Sequence, residues 1–126
     1  MNDGQRVFST PAGIELGPLD LIDPRGARSF VVQLRAGRFH GFVVRQGEAV
    51  YGYVDRCPHM GLPLAKTLDD YFAGPAGPIA CSWHGALFAI ETGRCVAGPC
   101  LGAQLARWPV HVVSGRILTD VPGQLG

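Results

Sequence analysis

Apolar residues along this chain come in short runs of β-branched and aromatic side chains, SFVVQL, FHGFVV, AVYGYV, WPVHVV and GRILT, separated by glycine-containing turns. The pattern therefore has strand character nearly throughout. FHGFVVRQGEAVYGYVD predicts a hairpin in which Phe42 and Val44 face one way, Gln46-Gly47-Glu48 makes the turn, and Val50 and Tyr53 lie on the return strand. VHVVSGRILTD repeats the device around Ser114-Gly115. One short helical turn is expected near Leu64 to Asp70, where Pro63 can open it and Gly74 lies beyond its end. The stretch AGPAGP, residues 73–78, reads as a loop tip. Eighteen glycines and ten prolines suit many short strands. With no internal repeat or low-complexity segment, the expected fold is all-β, a small sandwich or barrel with one functional end.

Composition narrows the function classes. A chain of 126 residues fits a single domain, 1–126, able to bury a core without disulfides. Apolar residues make up 47%, charged ones 17%, and the formal net charge is +1, so there is no electrostatic case for nucleic acid or a membrane surface. Lys66 is the only lysine, and the arginines are spread from Arg6 to Arg116 without forming a run. No apolar stretch approaches the roughly 20 residues a bilayer requires. The start MNDGQRVFST has no apolar segment behind a basic head, which leads us to expect a cytoplasmic protein. In that reducing compartment four cysteines are better read as metal ligands or thiols than as two disulfides.

Two stretches carry the chemistry. RCPHMGLPL, residues 56–64, sets Cys57 and His59 around Pro58 in a stiff, turning loop, with Gly61 and Pro63 following. IACSWHGALFAIETGRC, residues 79–95, places Cys81 and His84 three apart, with a glycine directly after the histidine. Two thiolates and two imidazoles suit either tetrahedral zinc or a [2Fe–2S] cluster with two cysteines on one iron and two histidines on the other. Zinc fingers commonly pair ligands of one kind on each knuckle, whereas here each loop contributes one of each. The mixed loops favour the cluster.

CPHMGLPL followed by CSWHGALFAIETG resembles the CxH and CxxH box pair of the Rieske ferredoxin family, including the Thr92-Gly93 beyond the second box. Gly98-Pro99 is similar to the proline-containing third loop of that family, and RWPVHVVSGRIL to its closing hairpin, so the resemblance spans about residues 30–120 with boxes at 57–64 and 81–95. It implies a Rieske-type antiparallel β sandwich with a small cluster-binding lobe made of two loops. It also implies that Cys57, His59, Cys81 and His84 are the metal and cofactor ligands of one [2Fe–2S] cluster. Twenty-one residues separate His59 from Cys81, more than the family usually has; the surplus is DDYFAGPAGP, expected as an enlarged surface loop.

Two ferric ions, two sulfides and two thiolates sum to zero charge, which eases reduction and explains why Rieske centres span about −150 to +300 mV. Respiratory members carry two cysteines that pair as a disulfide where this chain has Leu62 and Trp83, and serine and tyrosine hydroxyls where it has Ala86 and Phe88. Without those donors the expected potential lies toward the low end of the range. The resemblance implies a soluble one-electron carrier with no catalytic residues, passing electrons from a flavin-dependent ferredoxin reductase to a terminal ring-hydroxylating oxygenase. An oxygenase would need a second iron site, and His40 and His111 sit in no suitable motif. Alternatives are the Rieske small subunit of a larger reductase or oxidase, such as a nitrite reductase, and a zinc-stabilised interaction domain. Met60, Leu62, Pro63 and Pro99 are expected to form an apolar docking tip. Cys95 and Cys100 read as small buried hydrophobes, Trp83 and Phe88 as packing, and Arg56 and Arg94 as surface charge.

Overall fold

The run FHGFVV becomes the middle of a ten-residue strand, Gly37–Gln46, that belongs to two hydrophobic cores at once. The computed structural model describes residues 6–7, 10–55, 78–80, 86–98 and 103–120. Within them ten strands follow in chain order: β1 (Arg6–Val7), β2 (Glu15–Pro18), β3 (Ala27–Leu34), β4 (Gly37–Gln46), β5 (Ala49–Val54), β6 (Ile79–Ala80), β7 (Leu87–Phe88), β8 (Cys95–Ala97), β9 (Val110–Val113) and β10 (Arg116–Thr119). A 3₁₀ turn at Leu19–Leu21 is the only helical element among the described residues. No helix of the described residues is long and apolar enough to cross a membrane.

The strands form three sheets. In the largest, β4 is flanked by β3 on one side and by β5 on the other, with β1 pairing parallel to β4 beyond the end of β5. A second sheet orders β2, β10 and β9, and a third orders β6, β7 and β8; all of their pairings are antiparallel. Alternation along β4 assigns the cores. Phe42 and Val44 face the β6–β8 sheet and share a core with Tyr53, Ile79, Ala86, Phe88, Cys95 and Leu105. Phe39 and Val43 face the other way and pack with Val54, Trp108, Val110, Ile117 and Ile22. The shared side of Phe42 and Val44, and the placement of Val50 and Tyr53 on the return strand, agree with the sequence pattern.

Trp108 lies flat on the large sheet because two glycines make room for it. A Cβ on Gly41 would fall 2.6 Å from Trp108 Cε3, and one on Gly52 would fall 2.3 Å from the Trp108 carbonyl oxygen. The Trp108 amide donates to the Gly52 carbonyl at 2.9 Å, its indole N–H donates to the Thr10 hydroxyl at 2.9 Å, and the Phe39 ring stands 4.7 Å away. Buried Thr119 likewise ties the N-terminal segment down, accepting from the Ile14 amide and donating to the Pro11 carbonyl.

Both expected hairpins are present. The first loop is two residues long, Gly47-Glu48, since Gln46 pairs with Ala49 and thus belongs to the strand. The second has Ser114 at φ 51° and Gly115 at φ 76°, the positive pair that a type I′ turn demands and that matches strand twist. Trp108 and Pro109 precede β9 instead of lying in it. The helical turn expected at Leu64–Asp70 and all but the last residue of the 73–78 loop lie outside the described residues.

Replacing Gly52 with alanine should destabilise the fold by about 1–3 kcal/mol, since backbone must move to admit the Cβ. A urea midpoint unchanged by the substitution would show that Trp108 is not seated as described.

Candidate metal centre

The two boxes depart from a common apolar base. β5 ends at Val54, and the Asp55 amide still bonds to the His40 carbonyl at 3.0 Å, so the chain follows the edge of β4 until two residues before Cys57. β6 leads directly into Cys81, and β7 receives the chain after His84 and Gly85; the pairs Ile79–Phe88 and Ala80–Leu87 make the second box the connection of a hairpin. Tyr53 before the first box and Ile79, Ala86 and Phe88 around the second all lie in the same core. Strands of two or three residues cannot hold a loop by themselves, and it is packing against Phe42 and Val44 of β4 that fixes them.

Gly98, where the third loop starts, packs against Ala86. β8 runs into Gly98, whose φ of 101° is rare for any other residue. A Cβ there would stand 2.6 Å from Ala86 Cα, so the start of the third loop lies directly against the residue that closes the second box. On the other side of the core the Tyr53 hydroxyl donates to the Ile90 carbonyl at 2.5 Å, and Arg107 sits 5.9 Å from the Tyr53 ring centre while donating to the Glu91 carbonyl at 2.8 Å. Gly93, at φ 74°, lets the turn press on that ring, where a Cβ would come within 2.6 Å of Tyr53 Cε1. The turn that returns the chain from the second box is thereby bolted to β5, which leads to the first. Sequence reasoning singled out Thr92-Gly93 by resemblance but missed Tyr53 and Arg107 as its seat; one of two tyrosines in an apolar run gives no such signal.

Burial pushes the Tyr53 phenol up to about 12, with Glu91 and Tyr51 adding to the effect and the Arg107 guanidinium working against it. Cys95 is buried as expected, with its Sγ 3.2 Å from the Ala97 carbonyl oxygen, and Phe88 is core packing. Arg94 is exposed. His40 lies half-buried on β4, and His111 on β9 has its Nδ1 3.1 Å from the Asp120 carboxylate, so neither belongs to a metal site among the described residues.

Cys57, His59, Cys81 and His84 lie outside the described residues, as do Arg56, Met60, Leu62, Pro63, Trp83, Pro99 and Cys100. The framework around them nevertheless fits a bound cluster in its chemistry: two cysteines and two histidines on two connections that start from one core, with Gly98 packed against Ala86 at the exit of the second.

Comparison with known proteins agrees with this arrangement. The family model described as Rieske [2Fe-2S] domain matches residues 25–113. The 3-phenylpropionate/cinnamic acid dioxygenase ferredoxin subunit of Escherichia coli (strain K12) is 32% identical over 76 residues, covering 60% of this chain and 67% of that protein. Among solved structures, the ferredoxin of carbazole 1,9a-dioxygenase from Nocardioides aromaticivorans IC177 superposes with a TM-score of 0.66 over 87% of this chain and 98% of its own, at 24% identity. A chain from the complex of reduced oxygenase and oxidized ferredoxin in carbazole 1,9a-dioxygenase gives a TM-score of 0.64 over 85% of this chain and 91% of its own, at 26% identity. The all-β sandwich with its small lobe is thus the fold of those ferredoxins.

Two outcomes follow from this geometry. Gly98→Val should lower the iron content of the purified protein, because the side chain meets Ala86 and strains a positive φ; full loading would show that the third loop does not depend on the contact. Tyr53, with its raised value, should hold its proton while the unfolded chain loses it near pH 10. Its contribution to stability is then complete below about pH 10 and is lost as pH rises toward about 12. Ultraviolet titration should show one late-ionising tyrosine that disappears in Tyr53→Phe.

Proposed function

Because the chain belongs to the Rieske [2Fe-2S] domain family, we propose that it is a one-electron carrier delivering electrons from a flavin-dependent reductase to a terminal oxygenase of the aromatic-ring-hydroxylating type. One [2Fe–2S] cluster of the Rieske type is the cofactor of that family, and when bound it takes up and gives back a single electron. The observation that carries the reading is the pair of complete boxes, Cys57 with His59 and Cys81 with His84, inside the matched span.

In this reading residues 1–126 act as one domain, the two cysteines hold the inner iron, and the two histidines hold the outer one. The names of the relatives support the oxygenase partner: one is a dioxygenase ferredoxin subunit, and another was solved in complex with its oxygenase. The reductase partner rests on the chemistry, since a carrier of this type needs a one-electron donor. We place the protein in the cytoplasm, where thiols are kept reduced.

Ala86 and Phe88, both fully buried, carry no hydroxyl, so neither position can donate to a cluster sulfur. Each lost donor leaves the reduced, more negative cluster less stabilised, and the potential accordingly sits toward the low end of the about −150 to +300 mV range.

The test is spectroscopic. Purified protein should be red-brown, contain about two irons and two sulfides per chain, and give a reduced-state EPR signal with a low average g value. Cys81→Ser should abolish the signal. A colourless protein holding one zinc would overturn the carrier. In potentiometric titration, Phe88→Tyr should raise the midpoint above that of the unsubstituted protein; no rise would remove the hydroxyl explanation.

A further inference from the structure

The β6–β8 sheet covers only part of the face that the large sheet turns toward it. Cross-strand neighbours on that face are Ser29 with Phe42, Val31 with His40, and Gln33 with Arg38. Phe42 is buried in the core shared with the small sheet. Toward the β3–β4 turn the same face opens: Val31 is 58% exposed, and Gln33 and Arg38 are exposed too. Arg35 stands exposed in the two-residue turn itself.

Charge on this region is one-sided. The ion pairs among the described residues are His111 with Asp120 and Arg116 with Glu15, all on or beside the β2–β10–β9 sheet, and neither Arg35 nor Arg38 has an acidic partner among the described residues. The nearest carboxylate in register is Asp55, which follows β5 opposite His40 and is only 8% exposed. Asp23 and Glu48 sit at the opposite end of the sheet, where the Gly47 amide bonds to the Pro24 carbonyl and the Gly26 amide to the Asp23 carbonyl. Although the whole chain carries a formal charge of only +1, the β3–β4 turn end is basic among the described residues. It is also the end at which β5 leaves the sheet for the first box, since Asp55 continues the ladder at His40 and β1 takes over the edge of β4 at Arg38 and Phe39.

We propose that this face, Val31 and Gln33 bordered by Arg35 and Arg38, docks an electron-transfer partner that presents a carboxylate-rich surface. The inference rests on the carrier reading above. An exposed valine supplies a small apolar centre, and two guanidiniums with no acidic partner among the described residues supply charge that steers an acidic protein over about a Debye length and then pairs with its carboxylates at contact. A second copy of the chain is a poorer occupant, because it would bring the same guanidiniums together.

The experiment uses the cluster-loaded protein, reduced with dithionite and freed of excess reductant. It is mixed in stopped flow with either of two one-electron acceptor proteins of opposite surface charge: acidic plastocyanin, whose Cu(II) becomes Cu(I), or basic cytochrome c, whose haem Fe(III) becomes Fe(II). One electron leaves the cluster in each case, and no proton is required. At low salt, Arg35→Glu/Arg38→Glu should slow transfer to plastocyanin about tenfold and speed transfer to cytochrome c, with both differences closing by about 0.5 M salt. Arg35→Lys/Arg38→Lys should stay near the unsubstituted rates. Unchanged plastocyanin rates in the reversed variant, with a normal cluster spectrum, would overturn the docking face and leave the carrier reading intact. Absence of a reducible chromophore in the unsubstituted protein would overturn the carrier reading and the face with it. Sedimentation of the unsubstituted protein as a dimer that the reversed variant dissolves would assign the face to self-association and overturn the acidic partner.

Discussion

The structure depends on β4 being buried on both faces. Most strands of a sandwich divide into an inner and an outer side, but Phe39, Phe42, Val43 and Val44 are all fully buried, two on each face. One core joins the large sheet to the β2–β10–β9 sheet and the other joins it to the short β6–β8 sheet. Both layers rest on these four side chains of β4, so any shift of this strand is felt in both. Gly41 and Gly52 extend the constraint, because the ring of Trp108 approaches the sheet at Gly41 and its backbone at Gly52, where side chains are missing.

From that strand the geometry of the metal centre follows by short steps. Tyr53 on β5 faces Phe42, and its hydroxyl holds the Ile90 carbonyl in the turn after the second box. Gly93 lets that turn close on the ring, and Gly98 lets the third loop close on Ala86. The described residues that flank the two boxes therefore share one core, although 21 residues of chain separate His59 from Cys81. In the sequence the extra length falls between β5 and β6, outside both strands.

Much of this was legible in the sequence. Alternating β-branched and aromatic residues gave β3, β4, β5 and β10 nearly to their ends, and Ser114-Gly115 announced its hairpin. Cys95 and Phe88 were legible as core. β2 was not, because ELGP has one apolar side chain and a proline, and its strand exists only through pairing with β10. β6, β7 and β8 are too short for any period to show. The two Cys/His boxes stand out in the sequence by their spacing and their family resemblance, whereas Tyr53, Arg107 and the glycines packed against them act through contacts between separate segments, 37 residues apart in the case of Tyr53 and Ile90, and no local pattern encodes those.

The two- and three-residue strands of the small sheet have a further consequence. An isolated sheet of that size has almost no stability of its own, so the lobe is held by the core it shares with β4 and by whatever the ligand loops bind. Free energy of cofactor binding is then free energy of lobe folding, delivered to one side of the molecule only. The Trp108 core includes none of β6, β7 or β8 and meets that exchange through the strand the two cores share, β4. Such a molecule can be assembled in two stages, a scaffold that folds on its own residues and a lobe whose order measures the supply of iron and sulfide.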